Sequence, residues 1–88
     1  MKHHFSVTVG SHKYRFEVVP LVGKYAEVDY DKFRVEIDPS VTTGRSKEFQ
    51  AEVLLHEALH ILLPKWTEKK VLKAGKDLAR VLATAGVL

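Results

Sequence analysis

A chain of 88 residues, 45% of them hydrophobic, can close one small core but has no length for a second substrate domain or a sizeable propeptide. It contains no cysteine, so disulfides and thiolate metal sites are excluded and any metal ligands must be His, Asp or Glu. The net charge of +3 is uneven: residues 64–88 carry six basic side chains against two acidic ones, leaving the rest of the chain slightly acidic.

Phe5, Val7 and Val9 alternate with Ser6 and Thr8, and Tyr14, Phe16 and Val18 alternate with Arg15 and Glu17, which predicts a β-hairpin turning at Gly10, Ser11 and His12. Such alternation is unlike a signal peptide, and no apolar run has the length of a membrane span, so the expected location is the cytoplasm. Pro20 and Gly23 make a loop, Tyr25 to Asp29 a short strand, Tyr30 to Lys32 a turn, and Phe33 to Ile37 a further strand ended by Asp38-Pro39. Ser40 to Arg45 read as loop.

Ser46 is placed to N-cap a helix with Glu48 in its first turn, and Pro64 stops that helix. Thr67 is placed to cap a second helix with Val71, Leu72, Gly75, Leu78, Ala79 and Leu82 on its apolar face and lysines opposite. Strands first and helices after predict a single α+β domain over residues 1–88, with both helices on one face of a short, mainly antiparallel sheet.

The first helix carries the chemistry. Residues 51–63 read AEVLLHEALHILL, an H-E-x-x-H pattern in an otherwise apolar stretch. Histidines four apart lie one above the other on a helix, so the imidazoles of His56 and His60 can reach one tetrahedral zinc ion. Glu57 then faces the open side of the metal, placed to take a proton from a zinc-bound water and return it to a leaving group. The apolar surroundings predict that all three are packed into the domain. Buried polar groups need partners, and one metal supplies them together where a core histidine bonded to backbone explains only itself.

A hydrolytic zinc takes three protein ligands and keeps a fourth position open. Glu68 is the first candidate for the third ligand, because it opens the second helix just after the Pro64–Thr67 reversal and falls on that helix's inward face. His12 in the hairpin turn is the second. Asp77 lies between lysines on the outer face. Tyr25, Tyr30 and His12 are the candidates for stabilising a tetrahedral oxyanion, Trp66 is expected over one end of the core, and His3 and His4 are expected to bind metal only adventitiously.

The run AEVDYDK from Ala26, the strand FRVEI from Phe33, LLHEALHIL from Leu54 and the Thr67-Glu68 helix start resemble, in order and spacing, the small H-E-x-x-H zincin-like proteins of phages and prophages, which are described as metallopeptidases. The resemblance covers nearly the whole chain. It implies a gluzincin-like core: zinc on His56 and His60, Glu57 as general base, and an acidic ligand at the start of the next helix, which corresponds to Glu68. Relatives tend to have several acids there, whereas Glu68 is followed by Lys69 and Lys70. The expected function is thus zinc-dependent hydrolysis of a peptide or protein lying along the strand edge Phe33–Ile37. The alternative is a non-proteolytic zinc module, or a hydrolase acting on nucleic acid held by the basic C-terminal helix.

Overall fold

In the computed structural model, which describes residues 1–88, the N-terminal alternation forms β1 (His4–Val9) and β2 (His12–Val18), an antiparallel hairpin. Its turn is the pair Gly10-Ser11, with Gly10 at a φ of +66°. Val9 pairs with His12, so His12 is the first residue of β2 and not part of the turn. The rings of the cross-strand partners Phe5 and Phe16 stack with centroids 4.8 Å apart.

The next strands are β3 (Ala26–Asp29) and β4 (Arg34–Ile37). The turn between them is built on Asp29, whose carboxylate accepts the N–H groups of Asp31 and Lys32, each at 3.1 Å. Phe33 completes that turn at a φ of +51°, a conformation uncommon for an aromatic residue; its ring is held between His12 and Tyr14.

The sheet order is β1-β2-β4-β3, with β4 parallel to β2 and antiparallel to β3. The sheet is therefore mixed, antiparallel in two of its three pairings as expected but parallel between β2 and β4, and Phe33–Ile37 is no edge. Burial explains the order. Val35 and Ile37 are wholly enclosed and need neighbours on both sides, whereas β3, with Glu27 and Asp29 on its solvent face, is short and acidic as edge strands commonly are. The phase of the free edge follows from two bonds. Asp38 N–H donates to Tyr25 O at 2.8 Å and Val19 N–H to Ile37 O at 2.9 Å, which directs residues 34 and 36 of β4 toward β3 and turns the N–H and C=O groups of Ala26 and Val28 outward.

Where a loop was expected, a single turn of helix, α1 (Pro39–Thr42), buries Val41 completely. Its signal was the Asp-Pro pair itself: Asp38 is the N-cap, and its carboxylate accepts Ser40 N–H at 3.0 Å and Leu21 N–H at 2.8 Å. These bonds hold the Asp38 pKa below the ordinary Asp range, the Ser40 contacts first. A carboxylate of this kind stabilises the fold above its unfolded-state pKa and loses that contribution as pH falls through the folded value. In Asp38→Asn, urea midpoints recorded between pH 7 and pH 2 should show a shallower acid slope than the parent; identical slopes would rule the cap out as the cause.

The capping residues fall as the sequence predicts. Ser46 Oγ accepts Phe49 N–H at the start of α2 (Lys47–Leu62), and Thr67 Oγ1 accepts Lys70 N–H at the start of α3 (Glu68–Thr84). Only α2 covers the sheet, closing a core of Tyr14, Phe16, Val35, Ile37, Val41 and Val53. α3 packs on α2 instead, through Val71, Gly75 and Ala79. These residues form a narrow seam at spacings of four, so the backbones approach closely and Leu72 and Leu78, expected inside, stand exposed at its rims. No helix is long and apolar enough to cross a membrane.

Candidate metal centre

His56 and His60 stand one turn apart on α2 with their Nε2 atoms 3.1 Å apart and their rings inclined at 70°. Glu68, the first residue of α3, bridges them: Oε1 lies 2.7 Å from His56 Nε2 and Oε2 2.7 Å from His60 Nε2. The reversal at Pro64–Thr67 and the Gly75 seam bring this carboxylate over the end of α2. Donors around a tetrahedral zinc with bonds of about 2.0–2.2 Å stand roughly 3.3 Å apart. The spacings here are a few tenths of an ångström tighter, which suits N–H···O contacts that would open slightly around an ion. Two imidazoles and a carboxylate, with no thiolate, form a donor set suited to a borderline divalent metal.

His56, Glu57 and His60 together form a group able to hold a metal ion. Glu57 is the poorer ligand of the two acids, since its nearer oxygen is 4.0 Å from His56 Nε2 where Glu68 is at 2.7 Å. Lying one residue further round the helix, it is only 6% exposed. Burial pushes its carboxyl up to about 7, with the His60 charge opposing the rise and Glu68 and Glu27 adding to it. The expectation that all three motif residues are packed away is met by Glu57 alone. His56 and His60 are half-buried, and the Glu68 side chain is 68% exposed. The group therefore lies at the floor of an open cleft.

The other candidates are placed elsewhere. His12 is exposed on β2, stacked on Phe33 with its Nδ1 beside Ser11 Oγ. Asp77 is held by Lys73 and Arg80 on the outer side of α3. His4 starts β1, opposite Glu17, and Trp66 lies under Lys70 Nζ, 5.5 Å from the ring centre, instead of sealing the core.

No family model, curated protein or solved structure matches the chain.

Of the tyrosines, Tyr30 lines the cleft with His56, Glu57, His60 and Glu68. Its phenol is raised by desolvation first and then by the charge of Glu57, which marks how near the two groups are. Tyr25 borders the same cleft, but its hydroxyl accepts from Arg45 Nη2 at 3.4 Å, and the Arg45 guanidinium lies over both the Tyr25 and Phe49 rings. Sequence reading did not place Phe49 and Leu72 at the site, yet both border the cleft. The signal existed for Phe49, since Phe49, Val53, His56 and His60 share one face of α2 at spacings of four, three and four.

Gly75 sets how closely the Glu68 carboxylate approaches. A Cβ there would sit 3.5 Å from Glu52 O and 3.6 Å from His56 N, ordinary contact distances. Gly75→Ala should therefore raise stability by up to about 1 kcal/mol in urea melts, by removing a helix-interior glycine. Gly75→Leu should cost about 1–3 kcal/mol by overpacking and weaken metal binding as α3 is pushed off α2. Unchanged affinity in the leucine variant would separate Gly75 from the site.

Proposed function

We propose that this chain is a zinc-dependent metallopeptidase with a minimal, gluzincin-like core, in keeping with its resemblance to small phage and prophage zincin-like proteins. The observation that carries the reading is the convergence of His56, His60 and Glu68 beside a buried, otherwise costly Glu57. His56, His60 and Glu68 would hold the zinc, which when bound lowers the pKa of water and polarises a carbonyl.

The remaining work falls to the protein. Glu57, in a desolvated position beside the three donors, accepts the proton of the attacking water and delivers it to the amine leaving group. The outward N–H and C=O groups of Ala26 and Val28 offer an extended peptide a strand to pair with, so β3 replaces the edge expected at Phe33–Ile37. The Tyr30 phenol, on the same wall as Glu57, is placed to donate to the oxygen that gains charge.

Unfolded casein or a mixed peptide library incubated with the zinc-loaded chain is the direct test. Cleavage that stops with a chelator and returns with added zinc is the expected result, and a full absence of cleavage across the library would overturn the reading. The nucleic-acid alternative gains no support from α3, where Asp77 already pairs with Lys73 and Arg80 and so weakens the field that face offers a polyanion.

A further inference from the structure

α2 is apolar on nearly every side, yet the fold leaves one of its sides uncovered. The sheet packs against one side, and α3 lies on another with Gly75 over Glu52 O and His56 N. Of the apolar side chains of α2 only Val53 is buried. A helix that is apolar all round belongs in the interior of a larger body. The open side is the one turned away from the histidines. Ala51, Leu55, Ala58 and Leu62 run along it at spacings of four, three and four, the repeat of a helix–helix seam. The first three are half-buried and Leu62 is 52% exposed. α3 widens this face: Leu72 and Lys76 border the cleft on one flank of its seam, so Leu78 and Val81, both exposed, stand on the other flank.

The stripe has a hole at its start and a knob at its end. A cavity of about 230 Å³ lies beside Ala51, walled by Met1, Leu54 and Leu88. Leu62, the last residue of α2, projects at the opposite end, about 16 Å away along the helix. Charge is divided in the same way, since Glu48 flanks the start of the stripe and Lys65 follows its end, both exposed.

Such a surface is complementary to itself. A two-fold axis crossing α2 between the levels of His56 and Glu57 sets a second α2 antiparallel to the first. Ala51 then meets Leu62 of the second copy, Leu55 meets its Ala58 and Glu48 meets its Lys65, each contact occurring twice. Every leucine of the stripe faces an alanine, so the two axes can approach closely while Leu62 of each copy fills the cavity of the other. A parallel two-fold would set Leu62 on Leu62 and Glu48 on Glu48 and leave both cavities empty. The histidines lie on the far side of α2, so both metal clefts stay open.

We propose that this face binds a second copy of the chain, forming a two-fold dimer through antiparallel α2 helices with Leu62 as its anchor. The dimer does not depend on the metallopeptidase reading.

Sedimentation equilibrium of the full chain from about 1 μM to about 1 mM, a range that spans weak to moderate association, tests it. The mass should rise from the 10.0 kDa of one chain to twice that value. Leu62→Glu, changed at a position already half exposed, should keep the circular dichroism of the parent and stay at 10.0 kDa. Glu48→Lys and Lys65→Glu should each raise the dimer Kd by about tenfold, because each creates two like-charge contacts, and the double variant should regain the parent's affinity. A parent that stays monomeric throughout overturns the proposal, and flotation of that monomer with vesicles of anionic phospholipid would assign the face to a lipid surface instead. A mass that climbs past the dimer overturns the two-fold closure. Dimers that survive Leu62→Glu place the interface elsewhere, and single charge variants that match the parent, or a double variant that fails to recover, overturn the antiparallel register.

Discussion

Glu57→Gln should keep its zinc, lose peptide hydrolysis by about 10²–10⁴-fold, and at the same time make the metal-free protein more stable at pH 8. The first two effects follow from the geometry. Glu57 is not one of the three closest donors, so an amide in its place leaves His56, His60 and Glu68 untouched, but an amide accepts no proton from water. The third follows from linkage. The carboxyl of Glu57 is raised from an ordinary value of 4.5 to about 7, which means that the folded state binds this proton more tightly than the unfolded state. The contribution of this group to the stability of the metal-free parent is then fully present below about pH 4.5 and is lost as pH rises through the folded value. The decline amounts to roughly 3 kcal/mol when complete. Glutamine, shaped like the protonated acid and unable to ionise, escapes it.

Urea midpoints of chelated parent and variant at pH 4 and pH 8 measure this directly. The two should nearly coincide at pH 4 and separate at pH 8, with the variant higher. A variant no more stable than the parent at pH 8 would show that the buried carboxylate carries no penalty. A variant that cleaves peptides as fast as the parent would remove Glu57 from the chemistry. Together the outcomes ask whether stability has been given up at this residue for a reactive group.

The second large effect is on the fold itself. An ion that binds the folded chain alone stabilises it by about 4 kcal/mol at a thousand times its Kd. In a domain of this size each kcal/mol raises Tm by about 4–8 °C, so a shift of roughly 15 °C or more is expected on adding zinc. His56→Ala and His60→Ala should abolish the shift. Glu68→Ala should reduce it strongly, because it removes the carboxylate 2.7 Å from both imidazoles. His12→Ala and Asp77→Ala should leave it intact, since His12 stacks on Phe33 and Asp77 is tied to Lys73 and Arg80. These melts are best run with His3 and His4 replaced by serine, so that terminal imidazoles do not contribute. A full shift in Glu68→Ala would take the third ligand away from Glu68; no shift in the parent at any zinc concentration would remove the metal.

Several features of this protein are determined by the sequence alone because they are local. The pairing of His56 with His60 is a consequence of helical pitch and needs no tertiary contact to be foreseen. The caps at Ser46 and Thr67, the stop at Pro64 and the first hairpin are of the same kind, each fixed by groups within a few residues of one another. The cap at Asp38-Pro39 is as local, but in the sequence it reads only as the end of a strand, because one turn is too short to show a hydrophobic period.

What the tertiary structure decided depends on which distant surfaces bury each other. Nothing within Phe33–Ile37 states that it lies between β2 and β3. That follows from the enclosure of Val35 and Ile37, and it is what leaves β3 as the free edge beside the histidines. That Glu68, and not His12 or Asp77, stands beside the two imidazoles is likewise a matter of packing: the Val71, Gly75 and Ala79 seam draws α3 onto α2 and carries the Glu68 carboxylate to both of them. The same seam displaces Leu72 to the rim, where it becomes a wall of the cleft instead of part of the core. Spacing along a helix fixes which residues share a face, but only the packing of one element against another fixes what that face meets.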